Sequence, residues 1–518
     1  MASRSENVAR NSMVGLMMKL INLLLTFLVR TIFISILGKE YLGINGLFTN
    51  ILSILSFAEL GIGNAIVFAM YKPLAEKRMD KVNALMKFYH KCYCVIGLVI
   101  IAAGLLITPF IDKLIKDYTL DLNIYLLFVL YLINTSITYF FSSRTSFLSA
   151  IQQQYKVDIY HQVIKAVKEI CMGIVLFITH NFILYLLVNI ILEGAFSFFV
   201  YVRIGKQHSF LKEKTEYKLS KEEYKSIGKN VYALLLYKIA TTILGGTDNI
   251  IISSFVGLEA VGILSNYTLV VTNVTSFTQI IGNATTASIG DLNTTEDTKK
   301  KETIFNSLLL VSFWIYGWVA IGMMLFFNPF LKLWIGAEYT FNIEIVFAIC
   351  FNFYVGGMQT AGYTFRITNG YFSNSRYFPI LNVILNLGLS LILVQFIGVF
   401  GVLIATPISR LLTTTIVDPY YVYKLSFHKS PRSFYIKYLL FLLLEAGTLL
   451  INYFALKYIS DSNFLWLILK IILCSIITNV IFYLALHKDS SFIYIKESVK
   501  KLICRVTMKI RRLKHGEK

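Results

Sequence analysis

Charge is what this chain has least of. Only 15% of its 518 residues are Asp, Glu, Lys or Arg, against about a quarter in soluble proteins. That is too little polar surface to cover a water-soluble fold. Proline is scarce at seven residues and no polar low-complexity tract occurs, which excludes a disordered scaffold. The six cysteines carry no metal or redox spacing: Cys92 and Cys94 are two apart, and Cys171, Cys350, Cys474 and Cys504 stand alone. There is no phosphate-binding glycine loop, no G-x-S-x-G elbow and no His/Asp/Glu metal spacing. No soluble catalytic domain is present either, because the longest polar insert, about residues 205–227, is short and charged.

What remains is apolar. Hydrophobic residues make up 56% of the chain, including 40 Phe and 32 Tyr. The net charge of +20 does not point to nucleic acid, since the charges sit in short connections between long apolar runs. A helix needs roughly 20 apolar residues to cross about 30 Å of hydrocarbon. Fourteen such segments are predicted: 12–37, 43–70, 88–110, 123–148, 158–179, 182–204, 228–254, 259–289, 303–327, 343–368, 377–397, 399–421, 435–457 and 463–487. The runs are too long and too uniform for barrel strands. The first, carrying Lys19 and Arg30 and lacking a cleavage pattern, reads as a span and not as a signal peptide.

With the N-terminus inside, 34 of the 49 Lys and Arg fall on the inner side, five on the outer side and ten within spans. This is the asymmetry of the positive-inside rule. It predicts both termini in the cytoplasm.

The chain also repeats. Laid against itself with Asn11 on Asn230, the stretch Asn11–Ala65 meets Asn230–Ala284 without a gap and with fifteen identities. Among them are Lys19/Lys238, Gly38/Gly257, Glu40/Glu259, Gly43/Gly262 and Ile62-Gly63-Asn64-Ala65 against Ile281-Gly282-Asn283-Ala284. Chance matching of apolar helices supplies about half of these identities, but not readily the Gly, Glu, Lys and Asn pairs. Six spans per repeat make the halves parallel, with a pseudo-twofold along the membrane normal. The predicted fold is an all-α polytopic membrane protein: two six-helix lobes plus two C-terminal helices. Its parts are an N-lobe (1–204), a cytoplasmic linker (205–227), a C-lobe (228–434), helices 13 and 14 (435–487) and a basic cytoplasmic tail (488–518).

This layout, the amphipathic start Ser5–Asn11, the outer turn Leu37–Gly43 and the stretch Phe57–Ala65 resemble the Wzx-type polysaccharide flippases. These belong to the multidrug/oligosaccharidyl-lipid/polysaccharide exporter superfamily. The 6+6+2 layout spans the chain, whereas the local motifs lie mainly in its first two helices. The resemblance implies a bacterial inner-membrane transporter that flips undecaprenyl-pyrophosphate-linked oligosaccharide repeat units to the outer leaflet for capsule or O-antigen synthesis. It also implies dealings with membrane lipids, a polysaccharide polymerase and chain-length machinery. Two other classes stay open. A cation-coupled multidrug antiporter would share the lobes but favours twelve spans and carboxylates. A membrane-embedded polymerase or glycosyltransferase would need a large outer loop.

Ionisable groups at membrane depth cost about 2.5–3.5 kcal/mol each on insertion scales, so those retained tend to face a cavity. On helix 1, Lys19, Asn22, Thr26 and Arg30 share one face. Lys238 repeats Lys19 on helix 7, Gln359 and Arg366 are seven apart on helix 10, and Arg144 sits near the inner end of helix 4. Cations gathered on one cavity suit a pyrophosphate and acidic sugars. Arg144 and Arg366 are equally compatible with snorkelling to the interface. Glu59 reads as a partner for a cation or as a gating carboxylate. On helix 5, Lys165 and Glu169 are spaced to neutralise each other.

For coupling, the resemblance implies a cation site on helices 7, 11 and 12. The matching residues are Asp248, Asn382, Asn386 and Thr406, which suit Na⁺, or H⁺ if Asp248 titrates. Asp248 alternatively caps a bent helix or pairs with Arg30. No other cofactor is expected.

Overall fold

The computed structural model describes residues 4–59, 62–116, 118, 120–213, 217–295, 297–369, 371, 377–498 and 500. Every regular element among them is helical. In chain order they are α1 (Arg4–Leu37), α2 (Lys39–Leu55), α3 (Ile62–Ala75), α4 (Met79–Ile107), α5 (Ile124–Ile137), α6 (Ser143–Ala150), α7 (Gln154–Thr179), α8 (Phe182–Gln207) and α9 (Lys221–Phe255). There follow α10 (Leu258–Thr295), α11 (Thr298–Trp334), α12 (Ile343–Met358), α13 (Thr360–Thr368), α14 (Phe378–Leu412), α15 (Thr414–Val422), α16 (Arg432–Leu456) and α17 (Phe464–Leu486).

Each of the fourteen apolar segments is helical over most of its described length. Among the described residues eight helices are long and apolar enough to cross a membrane, and a bent pair, Ile124–Phe140 with Ser143–Ala150, makes a ninth. One of the eight, Phe378–Phe427, covers two of the predicted segments. Segment 43–70 breaks at a 3₁₀ turn, Ser56–Glu59, between α2 and α3. Segments 377–397 and 399–421 are the two legs of α14, which turns back at Ile397–Gly398, where Gly398 has φ +55°. Its legs touch at Gly401, where a methyl group would sit 2.5 Å from the Leu393 carbonyl oxygen. Asparagine starts α5, α8 and α17: the Asn123, Asn181 and Asn463 side chains accept hydrogen bonds from first-turn N–H groups. The protein is therefore an all-α polytopic membrane protein.

By packing the chain forms two compact units, Met1–Ser265 and Asn266–Lys518. In the first, α1 lies along α7, α7 packs on α8, α5 packs on α4 and α8, and α2 and α3 pack on α9. The repeat reappears here as an exchange of contacts. Gly38 and its repeat counterpart Gly257 both take positive φ, +82° and +133°. Five positions past each lies the next repeated glycine. A methyl group on Gly43 would collide with the Leu258 carbonyl oxygen, and one on Gly262 would collide with that of Lys39. Lys39 and Leu258 are themselves repeat counterparts, so each repeat seats its glycine on the first residue of the other's helix. Only glycine permits that backbone approach. A Lys39–Glu259 ion pair at 2.9 Å flanks it.

The stretch after α8 folds against α4. The Asn83 amide donates to the carbonyls of Phe210 (2.7 Å) and Glu213 (3.0 Å). Ser220 and Glu223 form a capping box at the start of α9, and Glu223 pairs with Lys81.

In the second unit α11 packs on α12 and α17, α12 on α14, and α16 on α17. Aromatic rings fill it, with Phe313 stacked on Phe441 at 4.3 Å. Polar bonds join the last two helices to each other and to α11: Asn452 donates to Thr478 at 3.0 Å, and the Trp314 indole donates to Asn479 at 2.8 Å. Such inter-helix bonds hold helices together where lipid offers no hydrophobic drive.

Candidate functional site

In the first unit the polar face of α1 lies against α7. The Asn22 amide, 2% exposed, donates to the Gln162 backbone carbonyl (3.0 Å) and side-chain oxygen (2.5 Å). One turn on, the Thr26 hydroxyl donates to Glu169 Oε1 at 3.2 Å. Another turn on, Arg30 Nη2 donates to the Ser265 carbonyl at 3.3 Å, and no carboxylate pairs with Arg30 among the described residues. Tyr131, Tyr185 and Glu169 stand around its guanidinium. Tyr131 donates to Asn45 at 2.9 Å, fixing α5 to α2 beside it. Among the described residues, Arg30 thus leaves most of its five donors unused. Lys19 is exposed, and the Lys238 side chain lies outside the described residues.

The spacing-based pair of Lys165 with Glu169 does not form. Glu169 turns to Thr26, and Lys168 pairs with Glu193 on α8. Glu59 accepts a hydrogen bond from Tyr93 at 2.6 Å, so its partner is a phenol on α4. Arg144 donates to the Tyr201 carbonyl at 2.8 Å and stacks over the Tyr201 ring at 3.7 Å. That contact fastens α6 to α8 and uses the guanidinium plane. Asp248 also lies in this unit, on α9, which runs unbroken through Gly245–Asn249.

In the second unit Gln359 donates to the hydroxyls of Thr414 (2.5 Å) and Thr415 (3.1 Å). Arg366 faces Asp418 across 3.2 Å, with both side chains about 5% exposed. Within the α14 hairpin Asn386, on the first leg, donates to Thr406, on the second, at 3.0 Å. The Asn382 and Asn386 side-chain oxygens and the Ser390 hydroxyl recur every four positions, buried and without a hydrogen-bond partner among the described residues. Neutral hard oxygens of this kind suit a weakly held monovalent cation. Among the described residues no three His, Cys, Asp or Glu side chains gather as a transition-metal site would require.

Several participants carry no local sequence signal. Gln162 and Asp418 are far in sequence from the groups they meet, so no spacing shows them. Glu445 does carry one, as a lone carboxylate near the middle of segment 435–457. It lies against Gly317 on α11, and its Oε2 has no hydrogen-bond partner among the described residues.

Comparison with known proteins fits this architecture. No curated protein matches the chain in sequence. Among solved structures, it is similar to the lipid II flippase MurJ in an inward closed conformation, with TM-score 0.66 and 16% identity over 92% of this chain and 100% of that one. It is also similar to an inward-facing multidrug resistance MATE family transporter of the MOP superfamily, with TM-score 0.61 and 16% identity over 76% and 92% of the two chains. The Vibrio cholerae MATE transporter VcmN gives TM-score 0.55 and 12% identity over 79% and 94%. At such identities the likeness is one of fold. Residues 8–289, more than half of the chain and including the whole α1 face, match the family described as polysaccharide biosynthesis protein, and the chain belongs to that family.

Proposed function

We propose that the protein is a transporter that moves lipid-linked oligosaccharide units from the cytoplasmic to the outer leaflet of a bacterial inner membrane by alternating access, supplying surface polysaccharide synthesis. One observation carries this reading. Arg30 sits within a hydrophobic span, has one backbone carbonyl as its hydrogen-bond partner among the described residues, and lies beside two tyrosines. A partly buried arginine with donors unused among the described residues can receive a phosphate or carboxylate, and Arg offers two parallel bonds where Lys offers a point charge. The Tyr185 hydroxyl beside it would add a further donor. The family match and the likeness to a lipid II flippase support an undecaprenyl-diphosphate carrier as the cargo's anchor.

Coupling is proposed to run through the α14 hairpin, where Asn382, Asn386 and Thr406 would hold Na⁺, with Asp248 as the titratable alternative for H⁺. A cationic-drug antiporter is the weaker reading, because the α1 face presents a cation.

The test is surface polysaccharide display in cells. Arg30→Ala should abolish it at normal membrane levels of the protein, whereas Arg30→Lys should retain part of it. Full display by Arg30→Ala would refute the assignment.

A further inference from the structure

On the inner side of the first unit lies a cavity of about 860 Å³ that the transport reading does not use. Its walls come from α3, α4, the stretch before α9 and the first turn of α9, and its cations are Lys87, Lys91 and Lys218. Lys87 and Lys91 are four apart on α4 and so project from one face. Like charges at that spacing destabilise a helix unless an anion joins them. Among the described residues none of the three ion-pairs with a carboxylate, and Lys87 donates only to the Glu213 carbonyl, at 2.7 Å. The Glu223 carboxylate, one residue before the lining Tyr224, is already held by Lys81 and Tyr217.

The remaining wall is apolar. Phe88 and Tyr224 meet edge to face at 5.0 Å, and Val95, one turn beyond Lys91, is 51% exposed on the outer surface of the helix. At 1.5 Å per residue Lys87 and Lys91 lie about 12 and 18 Å from the start of α4, with the uncharged run 92–110 beyond them. The cations therefore sit where the inner-leaflet headgroups begin, and the apolar wall continues toward the acyl chains. Three ammonium groups without carboxylate partners among the described residues, below an apolar wall, match an anionic amphiphile.

We propose that this cavity binds the phosphate headgroup of an anionic lipid of the inner leaflet, with Lys87, Lys91 and Lys218 on the phosphate and the acyl chain running past Val95. The lipid would also tie the connecting stretch 217–224 to α4, beside the Lys81–Glu223 pair. The site depends on membrane placement and not on the nature of the cargo.

Cys92 lines the cavity and Cys94 does not, which supplies an internal reporter and control. The full-length protein is placed in nanodiscs of phosphatidylcholine, or of phosphatidylcholine mixed with a minority of phosphatidylglycerol. Alkylation of each cysteine by a neutral maleimide is then followed by peptide mass spectrometry. Phosphatidylglycerol should slow Cys92 labelling about fivefold or more and leave Cys94 unchanged. The double variant Lys87→Gln/Lys91→Gln should lose the protection, and Lys87→Arg/Lys91→Arg should keep it. An unchanged Cys94 rate in the Gln variant reports that α4 remains folded. Equal Cys92 rates in the two lipids for the unmodified chain would overturn the proposal. So would protection in pure phosphatidylcholine by soluble inorganic pyrophosphate equal to that by phosphatidylglycerol, which would assign the cavity to a free phosphate compound.

Discussion

The polar face of α1 and the polar row of α14 solve the same problem differently. Both place side chains every three or four positions along an apolar helix. On α1 the row ends in a cation, and its amide and hydroxyl are spent on another helix, Asn22 on Gln162 and Thr26 on Glu169. On α14 the row is neutral and bonds within its own hairpin through Asn386 and Thr406. The repeat sharpens the contrast, because Asn249 is the counterpart of Arg30 and carries no charge. A charge kept in one repeat and dropped in the other points to a job that only one of them performs. Anchoring an anionic headgroup is such a job, and neutral oxygens are better suited to a small cation.

Substitutions and one titration press on this comparison. The largest effect is expected in the second unit, where Asp418→Asn leaves Arg366 buried without its counter-charge. Breaking a buried pair typically costs about 3–5 kcal/mol, so the variant should show a large loss of thermal stability in detergent. Arg366→Met/Asp418→Leu should recover much of it. Next come the repeated glycines. Gly43→Ala and Gly262→Ala each drive a methyl group into a backbone carbonyl, and overpacking of this kind costs about 1–3 kcal/mol. Both should impair polysaccharide display, whereas Gly388→Ala, with open space around its Cα, should be silent.

A smaller effect is expected at the hairpin. Asn386→Ala removes one buried hydrogen bond, worth about 0.5–1.5 kcal/mol, and should blunt any dependence of transport on a Na⁺ gradient. An Asn386→Ala variant with unaltered Na⁺ dependence would separate the hairpin from coupling. The smallest concerns Asp489, just past α17. Burial by itself would raise its carboxyl, but Lys437 at 3.0 Å and bonds from Ser491 hold it below the ordinary carboxylate range. A depressed folded value means the stabilisation is present at neutral pH and is lost as pH falls through the folded value. The pair is partly exposed, so a shift of under about 1 kcal/mol is expected, absent in Asp489→Asn.

Much of the architecture was legible because hydropathy and helical period are local. The fourteen apolar runs are helical over most of their described length, and the 3.6-residue period that put Asn22, Thr26 and Arg30 on one face is the spacing with which Asn22 and Thr26 meet α7. The breaks were less legible. Ser56–Glu59 interrupts a largely apolar run, so hydropathy alone does not mark that break. Partners across helices were not legible at all. Spacing favours Lys165 with Glu169, yet Glu169 serves Thr26, because contacts between helices outweigh a few tenths of a kcal/mol from an i,i+4 pair. Nor could the sequence show that Arg144 spends its charge on the Tyr201 ring. The repeated glycines stood out in the sequence as identities, and their exchange of contacts emerges only when α2 and the start of α10 are brought together.

The central claim is that Arg30 receives the anionic headgroup of a lipid-linked oligosaccharide. Its most direct test is a flipping assay with the purified protein in proteoliposomes, using a fluorescent undecaprenyl-diphosphate oligosaccharide and comparing the unmodified chain with Arg30→Ala and Asn249→Ala. Loss of flipping of at least tenfold in Arg30→Ala, with Asn249→Ala close to the unmodified rate, is the predicted result. Equal flipping by all three proteins would contradict the account.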